Sequence, residues 1–194
     1  MAGAFAAIPT GKPRPRRGFV VFKWSVYALL AANVWLYARH GTVNETLDTA
    51  AWVLLLLLFE WETGGWSMSG MQRRMAHALR TMAAVAVVWA CAGYGLAREW
   101  LDFANAATWL GVVLVLELEL RIPAARAGFH HLRRQFAAVL YAALAAFAMA
   151  WLVSGIAGGE PSAWLDAWDA LLWLLAFAVI ELNVFGLDPR GSAR

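Results

Sequence analysis

A chain of 194 residues that is 62% hydrophobic and only 15% charged leaves little sequence for a water-soluble domain. The single cysteine, Cys91, excludes a disulfide scaffold or a thiolate metal site built within one chain. The net charge of +3 needs no nucleic-acid partner, because its basic residues fall where membrane topology wants them.

Apolar runs near the ~20 residues that cross a bilayer core recur along the chain. The predicted fold class is an all-α integral membrane protein with six transmembrane helices, read as three repeated helical hairpins. Residues 1–17 form a basic cytoplasmic segment, with Lys12, Arg14, Arg16 and Arg17 before a first span from Gly18 to Ala38. The sequence Tyr37-Ala-Arg-His-Gly41 after that span lacks the small-x-small pattern of a signal cleavage site, so the span is predicted to be retained. The second runs from Leu47 to Thr63 or a little beyond, and the third from His77 to Leu96. Leu101 to Ile122, Phe136 to Ile156 and Trp164 to Phe185 complete the six, and residues 187–194 form a tail. These give one transmembrane domain over 18–186, with hairpins near 18–66, 73–122 and 133–186.

Arginines crowd the entries to the odd-numbered spans, whereas the intervening loops hold Glu45, Asp48, Glu99, Asp102, Glu160, Asp166 and Asp169. The positive-inside rule then predicts a multi-pass protein of the cell inner membrane with both termini in the cytoplasm.

The even-numbered spans align without a gap. Asp48-TAA-Trp52-VLLLLLF-Glu60-W-Glu62 matches Asn105-AAT-Trp109-LGVVLVL-Glu117-L-Glu119 and Asp169-ALL-Trp173-LLAFAVI-Glu181-L-Asn183. In the odd spans an arginine pair (Arg16/Arg17, Arg73/Arg74, Arg133/Arg134) is followed by Trp35, Trp89 or Trp151. Alanines such as Ala83, Ala84, Ala142 and Ala143 predict close helix packing, because lipid supplies no hydrophobic drive between helices.

At about 100° per residue, the Asp/Asn, the Trp and the final Glu/Asn share one stripe about 80° wide, with the first Glu off it. If Asp48 lies at the outer hydrocarbon boundary, Glu60 and Glu62 sit about 18 and 21 Å deeper, in the inner leaflet. An acid at a helix centre costs about 2.5 to 3.5 kcal/mol to insert, and five leucines and a phenylalanine offset about 3 kcal/mol. The second acid must be paired, protonated, hydrated or nearer the interface.

Two readings follow for these acids. Glu60, Glu62, Glu117, Glu119 and Glu181, with Asn183, form a candidate ring of ion- or proton-interacting groups. Alternatively, the acids snorkel to the headgroups and pair with the basic loops, as Glu117 can with Arg121. For the outer residues Asp48, Trp52, Asn105, Trp109, Asp169 and Trp173, the plain reading is helix capping and interfacial anchoring. The rival is an external cation vestibule.

The histidines are His40, His77, His130 and His131, none spaced within a span for haem or metal ligation, and no cofactor is predicted. No phosphate loop, nucleophile elbow or zinc-protease motif is present, so an enzyme is not expected. Glu117-Leu-Glu-Leu-Arg121 followed by Ile-Pro-Ala-Ala-Arg126-Ala-Gly-Phe129 resembles the end of the second voltage-sensor helix of voltage-gated cation channels, over about 13 residues. No span carries Arg or Lys at every third position, and no selectivity-filter sequence is present. The resemblance therefore implies only an acidic countercharge helix with its Arg at the cytoplasmic boundary.

The functional expectation is a small cation or proton channel or transporter component using inner-leaflet carboxylates. The alternative is a non-catalytic scaffold or accessory subunit binding partner helices or anionic lipid. The expected partners are the lipid bilayer and further copies or subunits of a membrane complex, with no nucleic acid.

Overall fold

The computed structural model describes residues 17–63, 69–121, 127–159 and 162–184, and the side chains of 18–62, 69–115, 135–159 and 162–177. These residues form six helices: α1 (Arg17–His40), α2 (Val43–Thr63), α3 (Gly70–Ala97), α4 (Trp100–Arg121), α5 (Ala127–Ile156) and α6 (Ala163–Val184). Three stretches, Gly18–His40, Gly70–Ala97 and Gln135–Ile156, are long and apolar enough to cross a membrane. They belong to the odd helices. In α2, Glu45, Asp48, Glu60 and Glu62 interrupt the apolar run.

Each helix packs on its neighbours in sequence, and α1 meets α6, so the six close into a ring. Two- to six-residue connections between antiparallel helices account for this order. The α1–α2, α3–α4 and α5–α6 turns share one end of the ring, called here the hairpin end. The basic chain entries lie at the other, the basic end.

Local chemistry sets each hairpin turn. Thr42 starts α2 by accepting the Glu45 N–H at 3.2 Å, while the Glu45 carboxylate accepts from the Thr42 N–H at 2.5 Å. This reciprocal box satisfies two N–H groups that a helix start leaves free. At the end of α3, Arg98 takes a left-handed conformation (φ 64°), and the Arg98 and Glu99 N–H groups donate to Gly95 and Tyr94 carbonyls. The end of α5 repeats the arrangement with Gly158 (φ 77°), its N–H donating to Gly155 and that of Gly159 to Ser154. Glycine takes this conformation without the steric penalty that Arg98 carries.

Small residues govern the helix contacts. Ala51 meets Ala83 and Val87 between α2 and α3, Ala90 meets Ala106 between α3 and α4, and Ala148 meets Ala167 and Ala170 between α5 and α6. Of the alanines predicted to pack, Ala83 is buried in these contacts, whereas Ala84 and Ala142 are exposed and Ala143 is half-buried, so the expectation holds for close alanine packing but is corrected for most of the residues named. Gly93 is tighter still: a Cβ there would stand 2.6 Å from Asn44 Oδ1, whose amide donates to the Ala90 carbonyl at 3.0 Å.

The largest buried cluster joins Val26, Tyr27 and Leu30 of α1 to Val53 and Leu56 of α2, with α4, α5 and α6 supplying Trp109, Val112, Leu144, Leu172 and Trp173. The even helices carry their tryptophans to its middle.

Candidate functional site

Trp52, Trp109 and Trp173 form a triangle with ring centroids 6.2 to 6.3 Å apart and interplanar angles of 55 to 65°. Phe177 packs on Trp109 at 4.7 Å. Edge-tilted aromatic pairs at these separations are attractive beyond their buried area. Trp109 and Trp173 are 7% and 6% exposed, so the interfacial-anchor reading of these residues is corrected. Their indoles face the middle of the ring because each lies on the stripe that its helix turns inward. Trp35 and Trp89, at 58% and 70% exposure, occupy the outward positions expected of interfacial tryptophans, whereas Trp151 is buried.

Four residues before each tryptophan, about one turn nearer the hairpin end, stand Asp48, Asn105 and Asp169. The capping expectation is corrected here too. Each helix begins five or six residues earlier, at Val43, Trp100 and Ala163, so these side chains lie in the second turn, beyond capping range. Instead, with Thr49 and the three indoles, they line an inner chamber of about 30 Å³.

An outer chamber of about 40 Å³ adjoins the first and shares Asp48, Asn105 and Asp169 with it. Glu45, Asp102 and Asp166 add carboxylates to its wall, and Tyr37, Tyr94 and Trp151 add aromatic rings. The two chambers together collect five carboxylates and no basic side chain. The acids come from α2, α4 and α6, while the odd helices brace them. Tyr37 donates its hydroxyl to Asp166 at 2.9 Å, Tyr94 reaches Asp48 at 3.4 Å, and the Asn33 amide donates to Asp169 at 2.8 Å.

The bracing is incomplete. Asp48 Oδ1, Asn105 Oδ1 and Asn33 Oδ1 are buried without a hydrogen-bond partner. Asn33 has no exposed surface at all, and Thr49 is only 6% exposed. Leaving one such acceptor unsatisfied costs about 1 to 3 kcal/mol.

The acids nearer the basic end behave differently. Glu60 pairs with Lys23 of α1 and lies 3.4 Å from the Tyr27 hydroxyl, and Glu62 pairs with Arg80 of α3 at 2.5 Å. Glu62 is exposed rather than turned to the middle with Asp48 and Trp52. Arg80 on the adjacent helix holds it there, and over four turns a small departure from 100° per residue rotates the stripe appreciably. The side chains of Glu117, Glu119, Glu181 and Asn183 lie outside the described residues, as do the side chains of the resembling stretch Glu117 to Phe129.

Asp48, Asn105 and Asp169 were thus legible as one set, together with their tryptophans. Tyr37, Tyr94, Asn33 and Thr49 were missed. A signal for the tyrosines exists, since Tyr37 and Tyr94 each stand 20 residues after the second arginine of their pair. Among the described residues, no three His, Cys, Asp or Glu side chains are placed to hold a metal ion together. No family model, curated protein or solved structure matches this chain.

Proposed function

We propose that the chain crosses the cell inner membrane six times, as three related hairpins with both termini in the cytoplasm. In this reading the hairpin end faces away from the cytoplasm and admits a cation into the acidic chambers, as a small cation-binding channel or transporter component. The observation that carries it is the set of buried, unpartnered acceptor oxygens beside carboxylates drawn from α2 and α6. Acidic groups at membrane depth favour cation or proton traffic as their function, and their field concentrates cations at the mouth. The tryptophan triangle forms the floor of this site, so passage toward the basic end requires the indoles to part.

The pairing of Glu60 with Lys23 and of Glu62 with Arg80 supports assigning the cation to the hairpin end rather than to these acids. The same pairs favour a second reading, a scaffold whose basic-end charges join helices and bind partner helices or anionic lipid. Flux separates the two. Protein reconstituted in liposomes with cation- and pH-sensitive dyes is expected to show cation-dependent uptake that Asp169→Asn abolishes. Flux equal to empty liposomes, with no cation bound by the purified protein, leaves the scaffold.

A further inference from the structure

We propose that the ligand of these chambers is a small protonated primary amine, with its ammonium group in the inner chamber and its carbon chain toward the hairpin end. The inference rests on the reading of the chambers as a cation site and names the class of cation.

The first argument is the kind of partner the walls lack. Asp48 Oδ1 and Asn105 Oδ1 line the inner chamber as buried acceptors with no donor, and they come from two different helices. Asp169 completes the wall from a third helix, and behind it stands Asn33, fully buried with its own Oδ1 unpartnered. An ammonium group carries three N–H donors and no acceptor, so one group can serve oxygens from three helices at once. Charge-assisted hydrogen bonds of this kind are about twice as strong as neutral ones.

Size is the second argument. A chamber of about 30 Å³ holds two or three water-sized groups, each needing about 10 to 15 Å³. An ammonium group is of that size. A calcium ion takes six to eight oxygen ligands, and magnesium demands near-ideal octahedral geometry. The described residues bring no three His, Cys, Asp or Glu side chains close enough for direct coordination.

The third argument is the aromatic content. Indoles attract ammonium groups and tolerate the attached carbons, whereas a strongly hydrated alkali ion gains less from them. Tyr37, Tyr94 and Trp151 continue this lining into the outer chamber. There a short alkyl chain finds ring surface, and the carboxylates of Asp102 and Asp166 hold a second cationic group where the ligand is a diamine.

Calorimetric titration of the full chain in lipid nanodiscs with methylammonium, potassium and tetramethylammonium chlorides tests the proposal. Methylammonium is expected to bind at least tenfold more tightly than potassium, tetramethylammonium, which has no N–H and is larger, to bind at least tenfold more weakly than methylammonium, and Asp48→Asn to weaken methylammonium at least tenfold. Asn105→Asp, which adds a third carboxylate to the inner chamber, is expected to tighten methylammonium severalfold, and it decides the matter if Asp48→Asn does not fold. Potassium binding as tightly as methylammonium, with Asn105→Asp tightening both equally, overturns the choice of an amine and leaves the cation site standing. No binding of any of the three cations overturns both.

Discussion

Trp109 and Trp173 meet edge to face with centroids 6.3 Å apart, although α4 and α6 make no direct backbone approach among the described residues. Two indoles therefore span a gap in the middle of the ring, and Trp52 closes the triangle. Removing one opens a cavity that smaller neighbours cannot fill by shifting, because the backbones are held by the outer contacts. Trp109→Ala is expected to lower stability by about 3 to 5 kcal/mol, read by denaturant unfolding in detergent. Trp35→Ala, at an exposed position, is expected to change it by less than about 1 kcal/mol.

Asn33 offers a narrower probe of the bracing around the chambers. Its amide is the donor to Asp169 from α1, and the residue has no exposed surface. Asn33→Leu removes the donor and fills similar space, leaving Asp169 with less support. A loss of about 1 to 3 kcal/mol is expected in the same unfolding measurement. Asn33→Asp sets a second carboxylate beside Asp169 and is expected to cost more in the absence of added cation, with part of the loss restored by cation.

The basic-end ion pairs separate by exposure. Lys23 and Glu60 side chains are 12% and 18% exposed, whereas those of Arg80 and Glu62 are 37% and 30% exposed. Breaking a largely buried pair strands a charge, so Lys23→Met is expected to destabilise by about 3 kcal/mol, with Lys23→Met/Glu60→Leu recovering most of it. Arg80→Met at the more exposed pair is expected to cost about 0 to 1 kcal/mol and to respond to salt. A thermal-shift series at two ionic strengths reads both.

These outcomes bear on how far the sequence could be read. The gapless alignment of the even helices singled out Asp48, Asn105 and Asp169 with their tryptophans, since one helical face repeats at a fixed spacing. Which way that face turned was not legible. Capping and interfacial anchoring use the same residue types as a buried polar chamber, and only the ring closure through α1 and α6 distinguishes them. Asn33 gave no signal, because an isolated amide in an apolar helix matches no motif until Asp169 is placed opposite it. Glu60 and Glu62 were legible as a problem of unpaired charge, but their solution lay in Lys23 and Arg80, on two different neighbouring helices.

Arg98 tests the turn chemistry apart from the site. It holds the left-handed conformation at the end of α3 that Gly158 holds at the end of α5. Arg98→Gly removes a steric penalty of about 1 kcal/mol, and the thermal midpoint is expected to rise. By contrast, Gly93→Ala drives a methyl against Asn44 and is expected to destabilise by about 1 to 3 kcal/mol through the α2–α3 contact.

The most direct test of the cation site at the hairpin end is the thermal stabilisation that methylammonium confers on wild type, Asp169→Asn and Glu62→Gln in lipid nanodiscs. A ligand present at 100 times its dissociation constant stabilises the protein it binds by about 2.7 kcal/mol. The account predicts a clear upward shift in wild type, the same shift in Glu62→Gln, and none in Asp169→Asn. A shift kept by Asp169→Asn and lost in Glu62→Gln places the cation at the basic end and contradicts the account.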